Sequence, residues 1–230
     1  VRQAISHAIN MQGIVDSVYE GLGKVATNPI PPTMWSYNKN LKGYEYSPET
    51  AKELLKQAGL ENGFETNIWA MPVARPYNPN GRKVAEAMQA DLAKVGIKVK
   101  IVSYDWGTYL KKSSNGEHDM VLLGWTGDNG DPDNFLNVLL GKHAAMKKPS
   151  QNRAFWKNDE FTALIDQAKE ITDVSKRTAM YEKAQAIFEE EAAWKPVAHS
   201  IVVVPMLKKI NGFKIDPVGK RRFKEVWISK

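Results

Sequence analysis

Residues 64–123 predict an α/β fold with a mostly parallel sheet flanked by helices. Three observations carry this reading. The segment alternates strand, helix, strand, helix, strand within about sixty residues. Ile97–Tyr104 alternates apolar and polar side chains, the period of a strand. Between the first two strands, Val84, Met88, Leu92 and Val95 recur at helical spacing, and Gly96 stops them. A strand that returns parallel to its predecessor needs a crossover of this kind.

The other elements follow in order. Ile5, Ala8, Ile9, Val15, Val18, Tyr19 and Leu22 form a helical pattern, with Gly13 as the expected division into two short helices. Residues 24–46 hold Pro29, Pro31, Pro32, Trp35, Tyr37 and Tyr44, the composition of a long ordered loop. Ser47-Pro48-Glu49 opens a helix, because serine caps, proline fits the first turn and glutamate suits the positive end of the dipole. Phe64–Met71 reads as a strand, residues 72–81 as a loop and Lys83–Val95 as a helix. The strand Ile97–Tyr104, a short helix near Trp106–Lys112 and the strand Asp119–Leu123 come next. Helices are expected near 134–140, 159–170 and 175–191, and strands over Val197–Leu207, Lys209–Ile215 and Phe223–Ile228. There is no internal repeat.

Composition narrows the function classes. The 230 residues are 43% hydrophobic and 25% charged, ordinary for a globular protein with a real core. With no cysteine, thiolate nucleophiles, disulfides and Cys-based zinc sites are excluded. No apolar run approaches the ~20 residues of a membrane helix. The formal charge of +6 raises nucleic acid as a partner, but basic and acidic residues are mixed. The densest cluster, Lys220-Arg221-Arg222 with Lys224, reads as a solvated face, so no nucleic-acid partner is expected. Val1-Arg2-Gln3-Ala4-Ile5 enters a helical pattern at once, without a cap, an initiator methionine or a signal segment. The expectation is therefore a piece of a longer precursor.

Ligands of open parallel sheets sit beyond the carboxyl ends of the strands. Two loops leave such ends. One contains Arg75. The other is Gly124-Trp125-Thr126-Gly127-Asp128-Asn129-Gly130-Asp131-Pro132-Asp133-Asn134. A guanidinium can grip a carboxylate through two parallel hydrogen bonds, and an aspartate beside glycines can meet an ammonium group. On the residues alone, Arg75 reads as a surface arginine, and Asp128 as either a ligand contact or an Asx-turn residue. Asp131 and Asp133 read as caps of the following helix.

Enzyme and metal readings lack their constellations. A calcium loop over residues 128–139 fails because the acids stand at positions 1, 4 and 6 and position 12 is Leu139. The histidines (7, 118, 143 and 199) form no metal-ligand pair and read as structural or exposed. Neither a phosphate-binding Gly-Lys loop nor a Gly-x-Ser-x-Gly elbow occurs. Glu189, Glu190 and Glu191 read as a solvated helix face. No cofactor, metal or catalytic residue is expected.

Several stretches resemble the periplasmic oligopeptide- and dipeptide-binding proteins, family 5 of the extracellular solute-binding proteins. They are Val1–Asn10, Gly21-Leu22-Gly23, Asn28-Pro29-Ile30-Pro31-Pro32, Met71–Pro79 and, most specifically, the loop at 124–134. The resemblance implies a periplasmic-binding-protein-like lobe from a Gram-negative bacterium. The partners it implies are a dipeptide or short peptide and an ABC permease in the inner membrane. Two lobes would close over the buried peptide by a hinge motion. Asp128 would take the peptide's α-amino group and Arg75 its α-carboxylate, with Trp125, Thr126 and Gly127 lining the pocket. Residues 1–198 would form lobe II. Residues 199–230 would return to lobe I, so this segment alone is expected to expose apolar strands and self-associate. Haem, glutathione or another small solute is the alternative ligand, and an α/β enzyme is a more remote one.

Overall fold

The computed structural model describes residues 1–230. Two helices open the chain, α1 (Arg2–Ala8) and α2 (Met11–Tyr19). The break falls three residues before Gly13, because Asn10 caps α2 by accepting the Gly13 amide at 2.9 Å. Left-handed Glu20 and Gly21, at φ 50° and 83°, end α2. A three-residue strand, β1 (Gly23–Val25), follows where only a loop was expected. Its partner lies far along the chain, and three residues carry no alternation to read.

The helix α3 (Pro48–Gln57) starts as its sequence dictates, with Ser47 accepting the Thr50 amide. The sheet comprises β2 (Phe64–Trp69), β3 (Ile97–Val102) and β4 (Met120–Val121), in the order β3-β2-β4 and all parallel. Two helices make the crossovers: α4 (Gly81–Ala93), capped by Asn80, and α5 (Trp106–Ser114), capped by Asp105. The strands are shorter than their apolar patterns. Single bonds extend them, from Ala70 N to Val102 O at 2.8 Å and from Leu122 N to Trp69 O at 3.1 Å.

A first core gathers α1–α4 and the sheet around Leu55, Ile68, Val84, Leu92, Ile97 and Tyr109. The fully buried Tyr109 hydroxyl lies 2.8 Å from the Trp69 carbonyl and 2.7 Å from that of Leu122. It therefore ties the ends of β2 and β4 together, where the loops that hold Arg75 and Asp128 begin. Tyr109→Phe is expected to cost about 1–3 kcal/mol of stability, since it takes the hydroxyl donor from the Leu122 carbonyl while the Trp69 carbonyl keeps the Leu122 amide, and urea denaturation measures this.

A second core unites α6 (Asp133–Leu140), α8 (Asp159–Glu170) and α9 (Val174–Glu190). Leu136, Leu140, Phe161, Ile165 and Phe188 are the buried centre of this core, joined by Ile30 from the proline-rich loop. A short α7 (Lys142–Met146), which follows α6, was not anticipated. The glutamate run is not simply solvated. Glu189 accepts the Gly43 amide, and Glu191 accepts from Trp156 Nε1 and Asn158 Nδ2, each at 2.6 Å. These bonds fasten the 24–46 loop and the start of α8 to the end of α9.

Next, β5 (Ala198–Ser200) pairs antiparallel with β1, placing Lys24 opposite His199. Burial pushes the His199 imidazole down to about 4 from an ordinary 6.5, so the folded protein keeps it neutral. The unfolded chain protonates first on acidification. The contribution is thus complete above pH 6.5 and is lost as pH falls toward 4. Urea midpoints at pH 7 and pH 5 are expected to differ less in His199→Gln than in the parent.

The tail departs most from expectation. Of the strand expected over 197–207 only β5 forms, and beyond it Ile201 N donates to Leu22 O at 2.8 Å. The two remaining strands, β6 (Ile210–Asn211) and β7 (Trp227–Ile228), pair antiparallel with each other. Val202, Leu207, Phe223 and Trp227 are 56–66% exposed. An apolar groove of about 610 Å³ runs between Val204, Met206, Phe213 and Phe223. A strand needs a neighbour for its ladder, and past Ile201 this stretch has no ladder bond. Residues 201–230 also hold eight basic residues against two acids, an excess equal to the whole formal charge of +6. Lys220, Arg221, Arg222 and Lys224 are exposed, as a solvated face requires.

Candidate ligand-binding edge

Because β2 and β4 are parallel neighbours, the chain leaves both at the same edge of the sheet. The loop after β2 turns tightly: Arg75 and Asn78 exchange backbone hydrogen bonds at 2.9 and 3.0 Å, with Pro76 and Tyr77 at the corner. The half-buried Arg75 guanidinium lies over the Trp106 ring, 4.5 Å from its centroid, at the start of α5. Its positive charge also acts on the Tyr77 phenol. Burial raises the pKa of that phenol, and the guanidinium partly offsets the rise. Tyr19 Oη donates to the Tyr77 carbonyl at 3.0 Å, pinning the turn to α2.

The two loops meet at Tyr77 and Gly124. A Cβ atom at Gly124 would penetrate the Tyr77 ring, so glycine is required by this close approach. This contact joins the Arg75 turn, which rests on the first core, to the 124–134 loop, which ends in the second.

Within the second loop, Asn134 is the organiser. Its Oδ1 accepts from Trp125 Nε1 at 2.9 Å and from the Asp128 amide at 3.0 Å, and its Nδ2 donates to Asp128 Oδ2 at 3.2 Å. Trp125 packs half-buried on the second core. Gly127 lies against Phe135, too close for a Cβ. Thr126 and Asp128 are exposed.

The acids beyond Asp128 differ from expectation. Pro132 occupies the cap position of α6, and no side chain caps the helix there. Asp131 instead accepts the Asp133 amide at 3.0 Å, an Asx-type turn, and binds Arg177 Nη2 through both oxygens at 3.0 and 2.8 Å. Arg177 also stacks over Trp35 and Tyr181, 5.2 and 5.5 Å from their centroids. It clamps the loop to α9. Asp133 makes no cap; burial raises its pKa, with Lys169 opposing.

Neither Arg75 nor Asp128 enters an ion pair within the chain. Both charges therefore remain available at one edge of the sheet. No group of His, Asp or Glu residues is arranged to hold a metal ion. Sequence reasoning missed Tyr77, Trp106, Asn134 and Arg177. Asn134 lay inside the motif without a visible role, and Arg177 sits on a helix far along the chain. The close approach at Gly124 is the one signal that glycine placement could have offered.

An open α/β lobe with charged loops at the carboxyl edge of a parallel sheet defines the class: the periplasmic-binding-protein fold. The model of "Bacterial extracellular solute-binding proteins, family 5 Middle" matches residues 1–147. The chain belongs to this family of solute-binding proteins. It is 49% identical over 228 residues to the dipeptide-binding protein of Escherichia coli (strain K12), covering 99% of this chain and 42% of that protein. It is 44% identical over 223 residues to heme-binding protein A of Haemophilus influenzae, covering 97% of this chain and 40% of that protein. An ABC transporter-associated periplasmic binding protein from Helicobacter pylori, solved in complex with the peptide STSA, superimposes with a TM-score of 0.91. Identity there is 46%, with 100% of this chain and 44% of that one covered. The chain thus spans less than half the length of these relatives.

Proposed function

We propose that this chain is the larger part of the ligand-gripping lobe of a short-peptide receptor for an ABC importer, acting in the periplasm. The observation that carries the reading is the pair of opposite, internally unpaired charges, Arg75 and Asp128, on two loops that touch through Tyr77 and Gly124. A short peptide is a zwitterion with its charges at its ends. Asp128 takes the ammonium group and Arg75 the carboxylate, while Trp125, Thr126 and Gly127 line the space between them. Closure of a second lobe excludes water and strengthens both contacts, although desolvation consumes much of the gain. No enzyme activity is part of this reading.

Residues 1–198 act as lobe II and residues 199–230 as a segment of lobe I. The exposed apolar groove and concentrated positive charge of 201–230 support that division. Sedimentation velocity of this chain alone is expected to show self-association that weakens when residues 201–230 are removed. A clean monomer would count against the division.

The Haemophilus influenzae relative is named for haem, which keeps haem as the second reading. Calorimetric titration of a two-lobed receptor with dipeptide, glutathione and haem separates the ligands. Saturable dipeptide binding is expected. Haem binding without dipeptide binding would replace the peptide reading, and mass spectrometry of co-purifying ligand gives an independent answer.

A further inference from the structure

We propose that Asn134 is the positioning residue of the amine-binding site, its one amide setting the direction of both the Asp128 carboxylate and the Trp125 ring. The inference rests on the reading of Asp128 as the partner of a peptide's amino terminus. The geometry assigns the amide orientation without ambiguity. Two N–H groups, the Trp125 indole at 2.9 Å and the Asp128 backbone at 3.0 Å, converge on one atom of the Asn134 side chain. Neither donor can face an NH₂ group, so that atom is the oxygen. The NH₂ group is then left facing Asp128 Oδ2 at 3.2 Å.

This arrangement has a chemical consequence. Asp128 is exposed and has no cationic neighbour within the chain to hold its rotamer. A carboxylate free to rotate loses entropy when it engages an ammonium group, and one already held loses less. Asn134 donates to one oxygen and leaves the other, Oδ1, without a partner inside the loop. The same amide oxygen fixes Trp125, so the apolar wall and the charge are set together. Asparagine suits the task because it carries an acceptor and a donor on one planar group. Aspartate would set two carboxylates against each other, and leucine would supply neither bond.

The test uses a two-lobed receptor and the ratio of its affinities for a free dipeptide and the N-acetylated dipeptide. Asn134→Ala and Asn134→Ser are each expected to lower that ratio about tenfold, the scale of a lost hydrogen bond to a charged group. Affinity for the acetylated ligand should fall less, by the share of the Trp125 wall that both ligands use. Equal loss for both ligands, or loss of the folded state in both variants, would overturn the proposal by reducing Asn134 to a structural role. Asp128→Asn is the companion measurement. If it collapses the ratio while the Asn134 variants preserve it, the positioning role fails and the ligand contact stands. If Asp128→Asn leaves the ratio intact, the ligand reading itself fails and takes the positioning role with it.

Discussion

Asp128→Ala in a two-lobed receptor is expected to weaken dipeptide binding by on the order of 2–4 kcal/mol, the cost of removing one partner from a buried charge pair. The magnitude follows from what closure does to the ligand. On the proposed reading an ammonium group held between lobes loses its water, and Asp128 is the carboxylate that replaces it. No ion pair within the chain is broken by the change, because Asp128 makes none, so stability should hardly move. Calorimetry with matched thermal melts checks both halves. Unchanged affinity would remove Asp128 from the site.

The second large effect is expected from a residue that touches no ligand. Gly124→Val places a branched side chain where the Tyr77 ring already lies. Overpacking of this kind costs about 1–3 kcal/mol, and the strain is relieved by parting the two loops. Parting them alters the spacing between Arg75 and Asp128, so peptide affinity should fall beyond the loss of stability. The pair Gly124→Val with Tyr77→Ala separates the causes. If the ring is the obstacle, the double variant recovers affinity relative to Gly124→Val alone, a non-additivity expected only of contacting residues. Additive losses would mean that Gly124 matters for another reason.

The parts of the fold that sequence revealed are those with local rules. Val84, Met88 and Leu92 announce α4, and Ser47-Pro48-Glu49 announces α3, because periodicity and capping are written within a few residues. Strand ends were less legible. The apolar run Ile68–Met71 carries the strand pattern to Met71, yet β2 stops at Trp69, since burial continues past the last paired residue. The tail misled for a physical reason: Ile201–Leu207 has strand composition, but pairing depends on a neighbour that composition does not encode. At the site, the two charged loops were legible through the parallel-sheet rule and the resemblance of the 124–134 motif. Their joint at Tyr77 and Gly124, and the Asn134 and Arg177 contacts, depend on tertiary approach. The Asp131–Arg177 pair joins a loop to a helix of unrelated sequence and depends on the packing of α9.

End-blocked ligands give the most direct measurement of the central claim. Free, N-acetylated and C-amidated forms of one dipeptide are titrated into the parent receptor, Asp128→Ala and Arg75→Ala. Each block is expected to cost affinity in the parent, Asp128→Ala to erase only the acetyl penalty, and Arg75→Ala to erase only the amide penalty. Penalties that persist undiminished in both variants would place the ends of the peptide elsewhere and contradict the assignment.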